Sequence, residues 1–321
     1  MKNKMEYRKI IEFGKSSYVV SLPKRWLNEQ NLRKGDVIYI DCDGDKLALY
    51  PAEQNKTRKP AKITIDITGM TEREIRLHLI SKYIRNFHEI TLVSKDMKAK
   101  ARNIRNMIHD MMALEVVEET ASKIVTRNFL NMEEISPDDL LRKMDVITRG
   151  MLADSINSFK ENKYENIAER DTDVNRLSFL LFRTLRYLQR TPASAKKKGL
   201  DHDTLLSMWA ATMNIESIAD QSKRLAKLMG RVKFRKEDQK QFVKLYSTIE
   251  KYYLDTMEAF YEKDSAKAFK LLPKKRELIK QCKDFYRQNW NYEWVPVMLE
   301  KIKAIIAGCT SLQTYLCDME Q

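Results

Sequence analysis

The feature that most constrains the fold is a long region of helical periodicity, which starts near Ile135 and continues to the end of this 321-residue chain. Apolar residues recur there at spacings of three and four, which places them on one face of a helix. The first such row consists of Leu140, Leu141, Met144, Ile147, Met151, Ile156 and Phe159. The whole chain contains only 8 glycines and 7 prolines, so long helices are favoured over a loop-rich enzyme.

Six helices are predicted in this region. The first starts at residues 136–139, where the sequence SPDD provides an N-cap serine, a proline at the first helical position and acids in the first turn. The other five are predicted over residues 164–190, 202–231, 236–262, 265–288 and 295–319. Three helices followed by three more predict two tandem three-helix bundles, over residues 135–233 and 234–321.

Residues 62–134 have a different pattern, in which strands and helices alternate. The helix after the first strand has a capping box formed by Thr71 and Glu74. The β-α-β-α-β order predicts a small α/β domain. Residues 52–61 are polar and basic and end near a proline, as is typical of a linker. The histidines His78, His88 and His109 lack metal-ligand spacing, so surface or packing roles are expected.

The first 51 residues combine strands, a short helix and turn signals. An alternating strand precedes Gly14, a second strand leads into the sequence SLPK, and Pro23 fits the first turn of a helix. The turn formed by Lys34, Gly35 and Asp36 precedes a predicted hairpin. A unit of this size is too small for an independent core, so it is expected to need a partner chain.

The order of these residues, a turn glycine followed by SLPK and then GD, resembles the SpoVT/AbrB swapped-hairpin family over roughly residues 5–51. The resemblance implies that two chains pair into one intertwined barrel that binds DNA. It also implies phosphate contacts from basic residues at the positions where the family touches DNA, namely Arg8, Lys9, Lys15, Lys24, Arg25 and Arg33. The alternative interpretation is a small β scaffold that only dimerises.

Composition supports a polyanionic partner without identifying it. The net charge is +14 and the sequence pI is about 9.4, although lysine-rich surfaces also serve solubility. The 4 cysteines include no CxxC pair, which favours reduced thiols in a cytoplasmic protein. No apolar run approaches the roughly 18–20 residues that a membrane span needs. The N-terminal sequence MKNKMEYRK has no apolar signal core, so a soluble, cytoplasmic protein is expected.

Two polar motifs are predicted on neighbouring helices of the first bundle. Asp171 and Asn175 are four residues apart on one helix, and Glu216 and Asp220 are four apart on another. Each pair therefore lies on one helical face. Facing oxygen ligands on adjacent helices are how carboxylate metal sites are built in bundles. The alternative is a solvated, salt-bridged helix surface that binds no ion.

These motifs, IAERDTDVNRL and NIESIADQSKRLAKL, resemble those of the PhoU family of phosphate-uptake regulators, which have two three-helix repeats. The resemblance implies a divalent or iron ion in the first bundle, held by Asp171, Asn175, Glu216 and Asp220, with Glu169 and Asp173 as ligands only if they turn inward. Asn175 stands where an aspartate is usual, which removes a charge and weakens binding.

The second bundle keeps the helix order of the repeat and loses its acids. Pro273, Lys274, Lys275 and Ile279 stand on one helix where acids are expected, and Thr310, Ser311 and Thr314 stand on the next. No metal site is therefore expected there.

Together these interpretations predict a multi-domain, mainly α protein. It has an AbrB-like swapped-hairpin domain at residues 1–51, the linker, the small α/β domain and two PhoU-like bundles, the second degenerate. This arrangement resembles archaeal-type PhoU phosphate uptake regulators with an N-terminal SpoVT/AbrB domain, and it predicts a homodimeric, DNA-binding transcriptional regulator of phosphate uptake. The alternative is a PhoU-type adaptor that does not bind DNA and regulates a phosphate transporter or sensor kinase by protein contact. The sequence contains no GxxxxGK, HExxH or GxSxG motif, so an enzyme is not expected.

Overall fold

The computed structural model of the chain describes residues 6–43, 46–51, 61–159 and 164–318. The chain divides between Lys59 and Pro60 into two compact units. It is mainly α-helical, with short sheets in the N-terminal part and long helices in the C-terminal part, which confirms the predicted fold class. The exact domain boundaries stay a prediction, and most of the predicted linker lies outside the described residues. Within the described ranges, no helix is long and apolar enough to span a bilayer.

The N-terminal unit contains two antiparallel hairpins and one short helix. Its elements are β1 (Ile11–Phe13), β2 (Ser17–Val19), α1 (Lys24–Glu29), β3 (Ile38–Asp43) and β4 (Lys46–Pro51). Strand β1 pairs with β2, and β3 pairs with β4. The turn between β1 and β2 places Gly14 at a φ of +72°, a conformation that favours glycine.

The described residues of the N-terminal unit form no buried core. Among the residues from 6 to 51 whose side chains are described, none is buried. Large apolar side chains are instead exposed throughout this unit, at Tyr7, Ile10, Ile11, Phe13, Tyr18, Val19, Val20, Val37, Tyr39, Ile40 and Leu47. Exposed apolar surface on this scale marks an interaction site, because a stable isolated domain buries such side chains.

The second unit begins with a four-stranded sheet and two helices. Their bounds are β5 (Lys62–Asp66), α2 (Glu72–Ile84), β6 (Glu89–Val93), α3 (Met97–His109), β7 (Leu114–Glu119) and β8 (Lys123–Asn128). The sheet order is β5-β6-β8-β7, with β5 and β6 parallel and the other pairs antiparallel. The predicted capping box of Thr71 and Glu74 is present at the start of α2.

The remainder of the second unit is helical. Its helices are α4 (Pro137–Ser155), α5 (Tyr164–Arg190), α6 (Pro192–Lys197), α7 (His202–Met229), α8 (Lys236–Glu262), α9 (Ser265–Leu271), α10 (Lys274–Asn289) and α11 (Val295–Asp318). Helices α4, α5 and α7 pack together as one bundle, and α8, α10 and α11 as a second. Helix α11 also packs along α7, so the buried residues of both bundles form one continuous core. Gly308 permits this close approach, because a Cβ there would lie 3.1 Å from Cδ1 of Ile218.

Three local features differ from the predicted helices. The prediction of a single helix over residues 265–288 is wrong, since the helix is interrupted between α9 and α10. The cause is Pro273, which has no N–H to continue the helical hydrogen bonds and whose ring crowds the preceding turn. The apolar row of the first helix runs to Phe159, but α4 ends at Ser155 and a 3₁₀ turn covers Ile156–Phe159. Helix α6 was not predicted.

Arg183 fixes helix α5 to the end of helix α2. Its side chain is buried, donates a hydrogen bond of 2.7 Å to the Tyr83 carbonyl and lies 4.7 Å from the centre of the Tyr83 ring. The Asn86 amide donates to the Arg183 carbonyl at 3.0 Å. Burial lowers the pKa of Arg183 to about 10, so the guanidinium still carries its charge at neutral pH. The α/β layer is therefore anchored to the helix that carries Asp171.

Candidate functional site

The six cations predicted to contact DNA are exposed and lie in the first part of the N-terminal unit. Arg8 and Lys9 precede β1, Lys15 lies in the β1–β2 turn, and Lys24 and Arg25 form the first turn of α1. The sixth cation, Arg33, lies in the turn before β3, and its backbone N–H donates a hydrogen bond to a side chain of the same turn.

That turn is closed by a hydrogen bond of 2.7 Å from the backbone N–H of Arg33 to Oδ2 of Asp36. Two of the cations also have acidic neighbours. Arg8 pairs with Glu6, and Arg25 pairs with Glu29 at 2.8 Å. Exposed pairs of this kind contribute little to stability, so these arginines can exchange their partners for phosphates at small cost.

Charge is segregated along the N-terminal unit. Residues 6–34 contain seven basic and three acidic residues, a net charge of +4. Residues 35–51 contain one basic and four acidic residues, a net charge of −3. Residues 6–51 together are therefore almost neutral, and within this range the positive charge lies in the segment that carries all six predicted cations. A localised basic surface is what phosphate binding requires.

In the helical unit, the predicted acidic motifs meet between α5 and α7. The Asp171 side chain is buried, and its Oδ2 lies 2.6 Å from the ammonium nitrogen of Lys223. The same ammonium lies 3.1 Å from Oδ1 of Asp220. Asp220 also pairs with Arg224 at 2.8 Å, and the Asn175 amide donates to Oδ2 of Asp171 at 3.2 Å. Lys223 thus bridges the two helices.

Glu216 completes this group of side chains. Its pKa is raised chiefly by burial, and further by the negative charges of Asp220 and Asp171. Burial acts to lower the pKa of the Lys223 ammonium, but the hydrogen bonds to Asp171 and Asp220 outweigh burial, and the pKa is raised. Two of the four predicted residues, Asp171 and Asp220, are therefore paired with a cation that belongs to the chain itself, and Asn175 is bonded to Asp171. We call this group, Asp171, Asn175, Glu216, Asp220 and Lys223, the Lys223 cluster.

The other two candidates do not join the cluster. Glu169 and Asp173 lie two residues on either side of Asp171, on exposed positions of α5, and Asp173 approaches Arg176 at 3.9 Å. Two residues along a helix correspond to a rotation of about 200°, which directs both side chains away from the neighbouring helix.

As arranged, the Lys223 cluster does not fit a metal ion. The ammonium holds an oxygen of Asp171 and an oxygen of Asp220 that a hard cation would need as ligands. In the described part of the chain, no group of three or more His, Cys, Asp or Glu side chains could hold a metal. The predicted ion stays a prediction. Sequence reasoning missed Lys223, although its spacing of three from Asp220 was a visible signal.

In the second bundle, the equivalent region contains a neutral hydrogen-bond network. The Tyr252 hydroxyl donates to Oε1 of Gln313 at 2.9 Å, and Nε2 of Gln313 donates to the Thr256 hydroxyl at 2.7 Å. Thr310 and Thr314 donate to carbonyls of their own helix. These groups satisfy one another, as buried polar atoms must.

The comparisons with known proteins agree with this division. Residues 141–229 match the family model of the PhoU domain. Residues 13–57 match the model described as antidote-toxin recognition MazE, bacterial antitoxin. The helical unit thus contains a region similar to PhoU domains, and the N-terminal unit is similar to MazE/AbrB-type domains. Both resemblances drawn from the sequence are confirmed, whereas the archaeal-type grouping stays a prediction.

One solved structure is also similar to the chain. The crystal structure of PhoU from Pseudomonas aeruginosa is 12% identical, with a TM-score of 0.45, and the match covers 57% of this chain and 91% of that one. No curated protein matches the sequence.

Proposed function

We propose that the protein is a DNA-binding transcriptional regulator of phosphate uptake. The N-terminal unit is the DNA-binding and dimerisation head, and the PhoU-like helical unit relays phosphate status. The observation that carries this proposal is the segregation of charge in the head, where residues 6–34 have a net charge of +4 and all six candidate cations are exposed.

The physical basis is electrostatic. Lysine and arginine side chains that neutralise DNA phosphates release condensed counterions, so affinity falls steeply as salt rises. Lys24 and Arg25 are the best placed of the candidates for this role. They are adjacent and exposed in the first turn of α1.

A second copy of the chain supplies what the head lacks. None of its described side chains is buried, while apolar side chains on both hairpins are exposed. Pairing two heads would bury these side chains in a shared core and would place two basic segments on one DNA duplex. This supports the predicted homodimer.

The Lys24→Ala/Arg25→Ala variant tests the proposal. We expect wild type to bind duplex DNA from promoters of phosphate-transport genes, with an affinity that depends strongly on salt. The variant removes two phosphate-neutralising cations from each protomer, so the slope of log affinity against log salt should fall by about four for a dimer. The measurement is fluorescence anisotropy over a series of salt concentrations.

The matched control is Lys236→Ala/Lys244→Ala, which removes the same charge from exposed positions of α8. It should bind DNA like wild type. Equal loss in both variants would mean nonspecific adsorption of a basic protein. Absence of salt-dependent binding by wild type would favour the adaptor, which acts on a transporter or sensor kinase by protein contact.

A further inference from the structure

Helix α10 presents a row of cations to solvent. The row has spacings of four, three and four, which keeps its members on one helical face. They are Arg276, Lys280, Lys283 and Arg287, and all four are exposed. The opposite face carries the buried side chains of Leu278, Cys282, Phe285 and Asn289, so the orientation of the helix is fixed by its packing.

An apolar row runs beside the cations. Ile279, Tyr286 and Trp290 have spacings of seven and four, so they share a face that adjoins the row of cations. Trp290 is 69% exposed and Tyr286 is 44% exposed. Neither aromatic side chain lies in the core. Their exposure is notable because a buried aromatic side chain contributes strongly to the stability of a core or an interface. We call the two rows together the α10 surface.

The cations of the α10 surface are largely uncompensated. Within the described residues, Arg276, Lys280 and Lys283 form no ion pair, and Arg287 pairs only with Asp284, at 3.1 Å. Helix α10 contains six basic and two acidic residues, a net charge of +4 over 16 residues. Helix α10 therefore has the same net charge as residues 6–34 of the head, in about half as many residues.

The combination of residues selects among possible anionic partners. The two lysines at the centre of the row, Lys280 and Lys283, disfavour a tight protein contact, because lysine is depleted in protein–protein interfaces, although arginine, tyrosine and tryptophan are common there. Binding to the phosphates of duplex DNA would explain the row of cations. It would not explain the exposed tryptophan and tyrosine that lie beside that row. An anionic membrane surface accommodates both rows, because lysine and arginine attract lipid phosphates while tryptophan and tyrosine lie at headgroup level.

We propose that the α10 surface docks the protein on an anionic lipid bilayer. The helix would lie parallel to the membrane, with Tyr286 and Trp290 at the headgroups and the cation row against lipid phosphates. The contact is peripheral and reversible, because only a few side chains enter the interface. This surface is separate in sequence from the six cations of the head, so lipid binding does not depend on the proposed DNA binding.

Vesicle co-sedimentation of the full-length protein tests this proposal. Wild type should bind phosphatidylcholine vesicles that contain phosphatidylglycerol and should not bind pure phosphatidylcholine. Lys280→Glu/Lys283→Glu should lower partitioning by at least roughly 25-fold, since each of the two lost cations contributes about fivefold. Tyr286→Ala/Trp290→Ala should also weaken binding. The control Lys236→Glu/Lys244→Glu makes the same charge change on α8 and should bind like wild type.

Further arms separate this surface from the head. Lys24→Ala/Arg25→Ala should keep full vesicle binding, and its loss in that variant would assign lipid binding to the head and overturn the proposal. The proposal would also fail if wild type did not bind anionic vesicles. It would fail again if Lys280→Glu/Lys283→Glu lost duplex DNA binding while still binding vesicles. The second result would assign the α10 surface to nucleic acid. Thermal unfolding of each variant checks that these exposed changes leave the fold intact.

Discussion

Ile11→Glu/Val19→Glu is expected to convert the protein from a dimer to a monomer and to abolish its DNA binding. Ile11 and Val19 face each other across the β1–β2 hairpin and are both exposed in the single chain. In the proposed paired head these side chains would lie in the shared core, where an unpaired carboxylate costs several kcal/mol. Four such carboxylates per dimer should raise the dissociation constant of the dimer by more than about 1000-fold.

Sedimentation velocity measures this change directly, and DNA binding is measured on the same samples. The control is Leu77→Glu/Leu206→Glu, which places two carboxylates on exposed apolar positions of α2 and α7, outside the head. The control should remain dimeric. A head variant that sediments like wild type would show that the exposed hairpin residues do not form the dimer contact.

Lys223→Met should lower the free energy of unfolding by about 3 kcal/mol, because it leaves Asp171 buried without its cation. Methionine preserves most of the apolar stem and removes only the ammonium. Asp220 keeps its ion pair with Arg224, so the loss arises mainly at Asp171. Denaturant unfolding measures the change. The control Lys227→Met, one turn further along α7, removes a cation that lies 5.6 Å from the Tyr164 ring and should cost less than about 1 kcal/mol.

A second substitution isolates the cause. Adding Asp171→Asn to Lys223→Met removes the uncompensated charge and should recover most of the lost stability. If it recovered none, Asp171 would not be the origin of the loss. Calorimetric titration of wild type with Mn²⁺ tests the predicted metal ion on the same cluster. The position of Lys223 predicts no stoichiometric binding, and tight binding would show that the ion displaces the ammonium.

Most of the helical fold could be predicted from local patterns. Helices α5 and α8 begin and end at the predicted residues, because long apolar periodicity and clear breaks define both ends. The break between α9 and α10 was missed, because apolar residues such as Leu271 and Leu278 keep a helical spacing on both sides of Pro273. The steric cost of the proline ring therefore outweighed a periodicity that continues through it.

The sites were predicted in part. Spacing on adjacent helices was sufficient to bring Asp171 and Asp220 together. It could not show that the flexible side chain of Lys223 reaches across to Asp171, since that depends on the separation and rotation of α5 and α7. The α10 surface was missed for a similar reason. Its cations and aromatic residues look like an ordinary solvated helix until packing shows which face of α10 is buried.

The central claim is that the head binds DNA in order to regulate phosphate uptake. Genome-wide capture of DNA by the full-length protein, at physiological salt and under high and low phosphate, tests it most directly. We expect enrichment near phosphate-transport genes that changes with phosphate supply and disappears in Lys24→Ala/Arg25→Ala. A flat profile under both conditions, equal to that of the Lys24→Ala/Arg25→Ala variant, would contradict the claim.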